Sequence, residues 1–339
     1  MAPPGKLVKS VFAAAFAVAA LAAWTAYELQ RTLTLDTDFA LVRVSAGSSA
    51  RSVAAALRAA GVPVRSWEFV LAASLTRTAR NLRAGRYRIG HETSLLALID
   101  KFRRGDVERV SFTIVEGMRF VDLRQRVGEF VDLRHDTQDW SAERILQAVG
   151  GTGAQAEGLF APDTYTIDPD ASDLELYRMA YRAQQERLSQ AWAGRSVELP
   201  YASPYEVLIM ASLIEKETGR PEDRSRIAAV FVNRRRKGMP LQTDPAVIYG
   251  LGPDYDGRLH KRDLLRDTPY NTYTRAGLPP TPICLPGRES LEAALHPEPT
   301  QALYFVARGD GSSQFSTTLG EHNRAVDLYQ RSAARRDTR

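Results

Sequence analysis

Two carboxylates in one short stretch, Glu215-Lys216-Glu217-Thr218, are the residues whose type and setting best suit proton-transfer chemistry. They follow the apolar run Val207-Leu208-Ile209-Met210-Ala211 and Leu213-Ile214. Upstream, Ser203 stands at an N-cap position, Pro204 at the first helical position and Glu206 three residues after the cap, so the pattern predicts a helix opened by a capping box and ended by Gly219. Advancing about 100° per residue, apolar side chains occupy every sector except the one near Tyr205, Ser212 and Lys216, which predicts a helix buried almost all round. Glu215 projects between Leu208 and Ala211, and Glu217 projects beside Met210 and Glu206. Burial without pairing disfavours the charged form and moves a carboxyl toward neutrality, where it can serve as a general acid. Each could instead be a structural glutamate paired with Arg or Lys. Position on the helix does not rank one above the other.

The surrounding sequence must hold that helix. With 44% apolar and 25% charged residues in 339, the chain is long enough for about two globular domains, and disorder or a coiled coil is excluded as its main character. Forty-five basic against 40 acidic residues give a net charge of +5, which permits a polyanionic partner without requiring one. The lone Cys284 excludes an internal disulfide, and the five scattered histidines lack ligand spacing, so no metal is expected. No GxxxxGK, HExxH or GxSxG pattern occurs, and the stretch 151–156, which nominally fits a dinucleotide fingerprint, follows a helical pattern and reads as a loop. The cluster Arg234-Arg235-Arg236-Lys237 before Gly238 reads as a solvated helix end without the aromatic interleaving of a nucleic-acid surface. The Arg-rich end from Arg331 reads as a solvated tail.

Lys6 and Lys9 precede an uncharged apolar run over residues 11–27, seventeen residues, the lower limit for a membrane-spanning helix. Cations before the run and Glu28 after it place the N-terminus in the cytoplasm and the body outside, with Trp24 and Tyr27 suited to the interface. Ala20-Leu21-Ala22 also has the small-x-small form of a cleaved signal, and the retained anchor is the favoured expectation. Beyond it, alternation from Thr32 to Val44 predicts short strands. Ser48-Ser49 precedes a helix to Ala60, another helical pattern opens at Ser66, Gly85 to Ile89 predicts a strand, and Ser94 caps a helix stopped by Gly105. A second block opens with a strand at Val110, Phe112 and Ile114, followed by helical patterns near 121–131 and 141–149.

The stretch 211–218 resembles the signature of the endolytic murein transglycosylase family, the MltG or YceG-like proteins. Further similarities follow in the family's order: Glu157-Gly158-Leu159-Phe160 with Pro162-Asp163-Thr164-Tyr165, Val230-Phe231-Val232-Asn233-Arg234, Leu241-Gln242-Thr243-Asp244-Pro245, Tyr270-Asn271-Thr272-Tyr273, Gly277-Leu278-Pro279-Pro280 and Glu321-His322-Asn323. The resemblance implies an α+β protein with a transmembrane anchor over 1–30, a LysM-like subdomain over 31–108 and a catalytic domain over 109–335. It implies Glu215 as the catalytic residue and no cofactor. The implied reaction cuts the MurNAc-GlcNAc bond inside peptidoglycan strands, the sugar's own C6 hydroxyl closing a 1,6-anhydro ring. Glycan strands, penicillin-binding synthases and the inner membrane are the implied partners, and nucleic acid is not. Gln242, Thr243, Tyr249, Tyr270, Asn271 and Tyr273 are of the hydrogen-bonding and aromatic types that line sugar clefts, and Asp244 either caps the helix opened by Pro245 or touches substrate. Two departures, Cys284-Leu285 where the family has Ala-Asn and Ser313 where it has His, affect one loop.

Overall fold

The computed structural model describes residues 4–45, 47–196 and 198–331, and divides into two compact units. The first comprises residues 1–110 with the short return segment 166–170; the second comprises 111–165 and 171–339. The basic end beyond Arg331 lies outside the described residues.

In the first unit helix α1 (Pro4–Gln30) leads into β1 (Thr32–Val44), α2 (Ala50–Ala59), α3 (Ser66–Leu75), β2 (Gly85–Ser94) and α4 (Leu95–Arg104). The short strands expected at Thr32 to Val44 are one long strand, antiparallel to β2, with the register shifting between Thr34 and Phe39. Inward positions Leu33, Leu35, Ala40, Val42 and Val44 pack with Leu57, Phe69, Tyr87 and Phe102 in one core. Ser49 and Ser94 cap α2 and α4 through their side chains, and Gly105 takes the left-handed conformation that ends α4. Arg43 and Arg109 pair with Asp170 and Asp168, which tie the return segment to this unit. No helix among the described residues is long and apolar enough to cross a membrane.

The rest of the chain, mostly in the second unit, which takes β3 from Ser111 and β5 as far as Tyr165, runs β3 (Val110–Ile114), α5 (Phe120–Glu129), β4 (Leu133–Arg134), α6 (Ala142–Ala148), β5 (Asp163–Ile167), β6 (Ala171–Ser172), α7 (Asp173–Ala193), α8 (Pro204–Glu217), α9 (Pro221–Arg236), α10 (Asp244–Leu251), α11 (Lys261–Leu265), α12 (Arg288–Leu295), β7 (Tyr304–Ala307), β8 (Ser313–Ser316) and α13 (Leu319–Val326). Its strands form three two-stranded sheets, β3 with β5, β4 with β6 and β7 with β8. Helices therefore dominate the packing, and α8 lies at their centre, its core shared with α9, α12 and the aromatic residues of β7 and β8. The whole is a mixed α+β fold.

Three local expectations are corrected. The sector of α8 expected to be polar is buried at Ser212, whose hydroxyl donates to the Ile209 carbonyl and accepts from the Ile283 amide at 3.0 Å. The helix ends at Thr218, in extended conformation, one residue before Gly219, and Glu206 reaches the Ala202 amide rather than that of Ser203. The basic cluster is a solvated helix end only at Arg236 and Lys237, which are exposed at the end of α9. Arg234 is buried and donates to the Leu303 and Leu241 carbonyls and to Gln242 Oε1, while Arg235 pairs with Glu206. Backbone carbonyls left unpaired in the 240–242 and 303 segments supply the acceptors that make a buried guanidinium tolerable.

Candidate active site

Ser203 caps α8 through its hydroxyl, Pro204 fixes the first turn, and residues 207–214 are all buried. That anchored rod delivers Glu215, Lys216 and Glu217 to its C-terminal end. About 100° separates successive side chains, so the two carboxylates point to opposite flanks.

Glu215 points at the start of α12. Its Oε2 accepts from the Gly287 amide at 2.9 Å and from Ser290 Oγ at 2.7 Å, and Oε1 lies 3.8 Å from the Arg224 guanidinium. A carboxylate at a helix N-terminus satisfies orphan amides and meets the positive end of the helix dipole. Arg224, itself buried, also pairs with Glu289 and approaches Glu116 at 4.0 Å. Burial, reinforced by the Glu215 charge, pushes the Glu116 carboxyl above its ordinary value. Glu215 thereby joins α8, α9 and α12, and every partner it has there donates to it.

Glu217 is half-buried on the opposite flank and has no ion pair among the described residues. Burial pushes its carboxyl up to about 7; the Thr243 hydroxyl opposes the shift, the Asp244 charge adds to it, and Arg234 counters. Around it stand three of the seven residues expected to touch substrate, Thr243, Asp244 and Tyr273. Thr243 is buried and its Oγ1 makes no close hydrogen bond. Asp244 is the first residue of α10, not its cap, and accepts from Tyr273 Oη at 2.5 Å. The N-cap is Thr243, whose side chain makes no capping bond. Gln242, held at positive φ, turns its Oε1 to Arg234.

Tyr249 and Tyr270 gather at a third carboxylate, Glu157, which the sequence pattern does not single out. Glu157 is buried, accepts from the Phe120 amide at 3.0 Å and from Tyr249 Oη at 3.2 Å, and is pushed up to about 7 by burial against these bonds. Tyr249 lies tilted on Tyr270 with ring centroids 4.9 Å apart, and Tyr270 Oη meets Thr281 Oγ1 at 2.9 Å. The signal was present in the sequence, an acid set between Ala156 and the apolar Gly158-Leu159-Phe160. Asn271 belongs to the scaffold. Its amide donates to the Asp263, Leu264 and Arg266 carbonyls, and its Oδ1 accepts from the Tyr273 and Thr274 amides, which leaves it nothing for a ligand.

A cleft of about 260 Å³ opens along α10, lined by Pro245, Ile248, Tyr249, Tyr255 and Ile283 on its apolar walls, with Lys216 and Arg119 as its cations. The departing residues Cys284 and Leu285 are buried beneath it: Cys284 Sγ meets the Ser212 carbonyl, and Leu285 exchanges backbone hydrogen bonds with Gly117 and Met118. Ser313 donates its amide to Asp223. Apolar side chains and backbone bonds keep the 282–285 loop in place, so Cys284 and Leu285 leave the α8 contact intact, while Ser313 stands apart from that loop at the start of β8.

The sequence profile of the YceG-like family matches residues 42–328. A protein of Bacillus subtilis named endolytic murein transglycosylase is 45% identical over 174 residues, 51% of this chain and 48% of that protein. One of the same name from Streptococcus pneumoniae is 27% identical over 88% of this chain and 60% of its own length. The chain thus spans about half to three fifths of these relatives. A crystal structure of a YceG-like protein from Listeria monocytogenes, 29% identical, aligns with a TM-score of 0.51 over 85% of this chain and 98% of that one. A match from residue 42 to residue 328, across both units, together with that structural likeness, places the chain in the YceG-like family.

Proposed function

We propose that this protein is a lytic transglycosylase that cuts the MurNAc-GlcNAc bond within peptidoglycan strands and leaves 1,6-anhydro-MurNAc ends. The observation that carries the reading is the placement of Glu217 at the end of a rigid buried helix, beside the Thr243 hydroxyl and the Asp244–Tyr273 pair, where burial pushes its carboxyl up to about 7. Such a group holds a proton for a fraction of the time near neutrality and releases it readily, which is what one residue serving as acid and then base needs. In the first half-reaction Glu217 protonates the GlcNAc O4 as the C1–O bond breaks. In the second the carboxylate takes the proton of the C6 hydroxyl as that oxygen bonds to C1. No water is consumed, so no second carboxylate is needed to activate one. The names of the relatives support the substrate class.

Glu215 is the residue that the resemblance implies. We propose Glu217 in its place, because the Glu215 carboxylate is already engaged by two hydrogen bonds and an arginine, whereas the expected substrate-binding side chains Thr243, Asp244 and Tyr273 surround Glu217. The two assignments separate cleanly by mutation. The finer parts of the proposal are an inner-membrane anchor over 1–30 with the body in the periplasm, a glycan-binding LysM-like role for the first unit, and synthases of the cell wall as partners. The reaction class is tested by digesting uncrosslinked glycan in H₂¹⁸O and weighing the products. Anhydro-ended fragments without ¹⁸O are expected; reducing MurNAc ends carrying ¹⁸O would make the enzyme a hydrolase.

A further inference from the structure

The cleft along α10 has walls and cations that the proton transfer does not use. Pro245 follows Asp244 directly, so the cleft begins where the Glu217 cluster ends. Ile248, Ile283, Tyr249 and Tyr255 offer apolar and aromatic surface. Of the two cations, Arg119 is held by Asp122 through a two-pronged pair, at 3.0 and 2.9 Å. Lys216 is exposed, and its ammonium makes one long hydrogen bond, 3.4 Å, to the Gly117 carbonyl. The Gly117 turn is itself fixed by backbone bonds to Leu285, so Lys216 is steered over the cleft while two of its three protons stay available. With Asp122 cancelling Arg119, the lining is left with one net positive charge.

Resting on the transglycosylase reading, we infer that this cleft takes the lactyl-peptide arm of the muramyl residue, with Lys216 receiving a stem-peptide carboxylate. The two sugars of the strand differ by that arm. Its lactyl and alanyl methyl groups match the apolar walls, and its carboxylate matches the ammonium. GlcNAc has neither, so a cleft beginning beside the acid seats the muramyl ring at Glu217 and decides which of the two alternating bonds is cut. Lys216 is thus a specificity residue, and the stretch Glu215-Lys216-Glu217 divides into a helix fastener, a substrate reader and an acid.

The test uses the full chain and two forms of one glycan preparation, with stem carboxylates free or converted to amides by carbodiimide and ammonia. For the wild type, KM on amidated strands should exceed KM on free-carboxylate strands about fivefold. Lys216→Met should bring that ratio to about one, and Lys216→Arg should keep it. A ratio of one in the wild type, or a ratio that survives in Lys216→Met, overturns the assignment. Failure of the wild type to release anhydro ends from either form would instead strike the transglycosylase reading.

Discussion

Glu215 and Glu217 stand about 200° apart around α8, and that rotation gives them opposite electrostatic surroundings. Glu215 faces a helix N-terminus and a buried guanidinium, groups that bind an anion. Glu217 faces a hydroxyl and another carboxylate in a poorly solvated corner. Glu217→Gln keeps the shape but cannot transfer a proton, so turnover should fall at least about 10²-fold with the melting temperature at pH 8 no lower than wild type. Glu215→Gln weakens the joint among three helices and should lower stability by about 2 kcal/mol, with anhydro-ended products still formed. An inert but normally melting Glu215→Gln protein, beside an active Glu217→Gln protein, would return the catalytic role to Glu215.

The raised carboxyls also set a pH dependence. Glu157 and Glu217 bind a proton more tightly when folded, about 7 against 4.5, so their contribution to stability is full below about 4.5 and is lost as pH rises through 7. Glu157→Gln should therefore shrink the fall in melting temperature between pH 5 and pH 8, measured by calorimetry. With Glu217 as the acid, kcat/KM should decline about tenfold per pH unit above 7.

At the scale of elements, the loop 282–285 keeps α8 in register with the turn at Gly117. Ser212 accepts the Ile283 amide, and Gly158 lies directly under Pro282. Gly158 sits at φ +79°, and a Cβ there would come within 2.5 Å of the Pro282 side chain. Gly158→Ala combines backbone strain with overpacking and should cost about 2–4 kcal/mol, read as a lower chemical-denaturation midpoint. Because the same loop carries Gly287 toward Glu215, the variant should lose activity at temperatures below its melting point.

For the whole molecule, the return segment 166–170 leaves the second unit and is held in the first by Arg43 and Arg109. If the first unit grips glycan, a protein lacking residues 40–107 but keeping residues 1–30 should bind strands more weakly in pull-down while cutting the same bond. Equal binding would reduce that unit to a spacer. The proposed anchor over 1–30 is checked by carbonate extraction: retention with the membrane is expected, and a soluble protein beginning near Ala23 would show instead that a leader is removed.

Local rules in the sequence determined several of the helices and some of their ends: Ser49, Ser94 and Ser203 cap three, Gly105 stops one, and the apolar run of α8 announces a buried rod. The family was legible because the motifs lie far apart along the chain yet keep one order. Only tertiary packing decided what each carboxylate meets. Gly287 and Ser290 lie more than seventy residues beyond Glu215 in the chain, and the helical wheel, which knows only direction, placed both glutamates against apolar neighbours. The same limit hid the buried Arg234, read as solvent-facing, and the scaffold bonds of Asn271, read as cleft-lining, since a polar side chain shows its role only when the carbonyls that satisfy it are seen. Sequence sets which groups are present and which way a helix turns them; the fold sets their partners, and the partners set the charge.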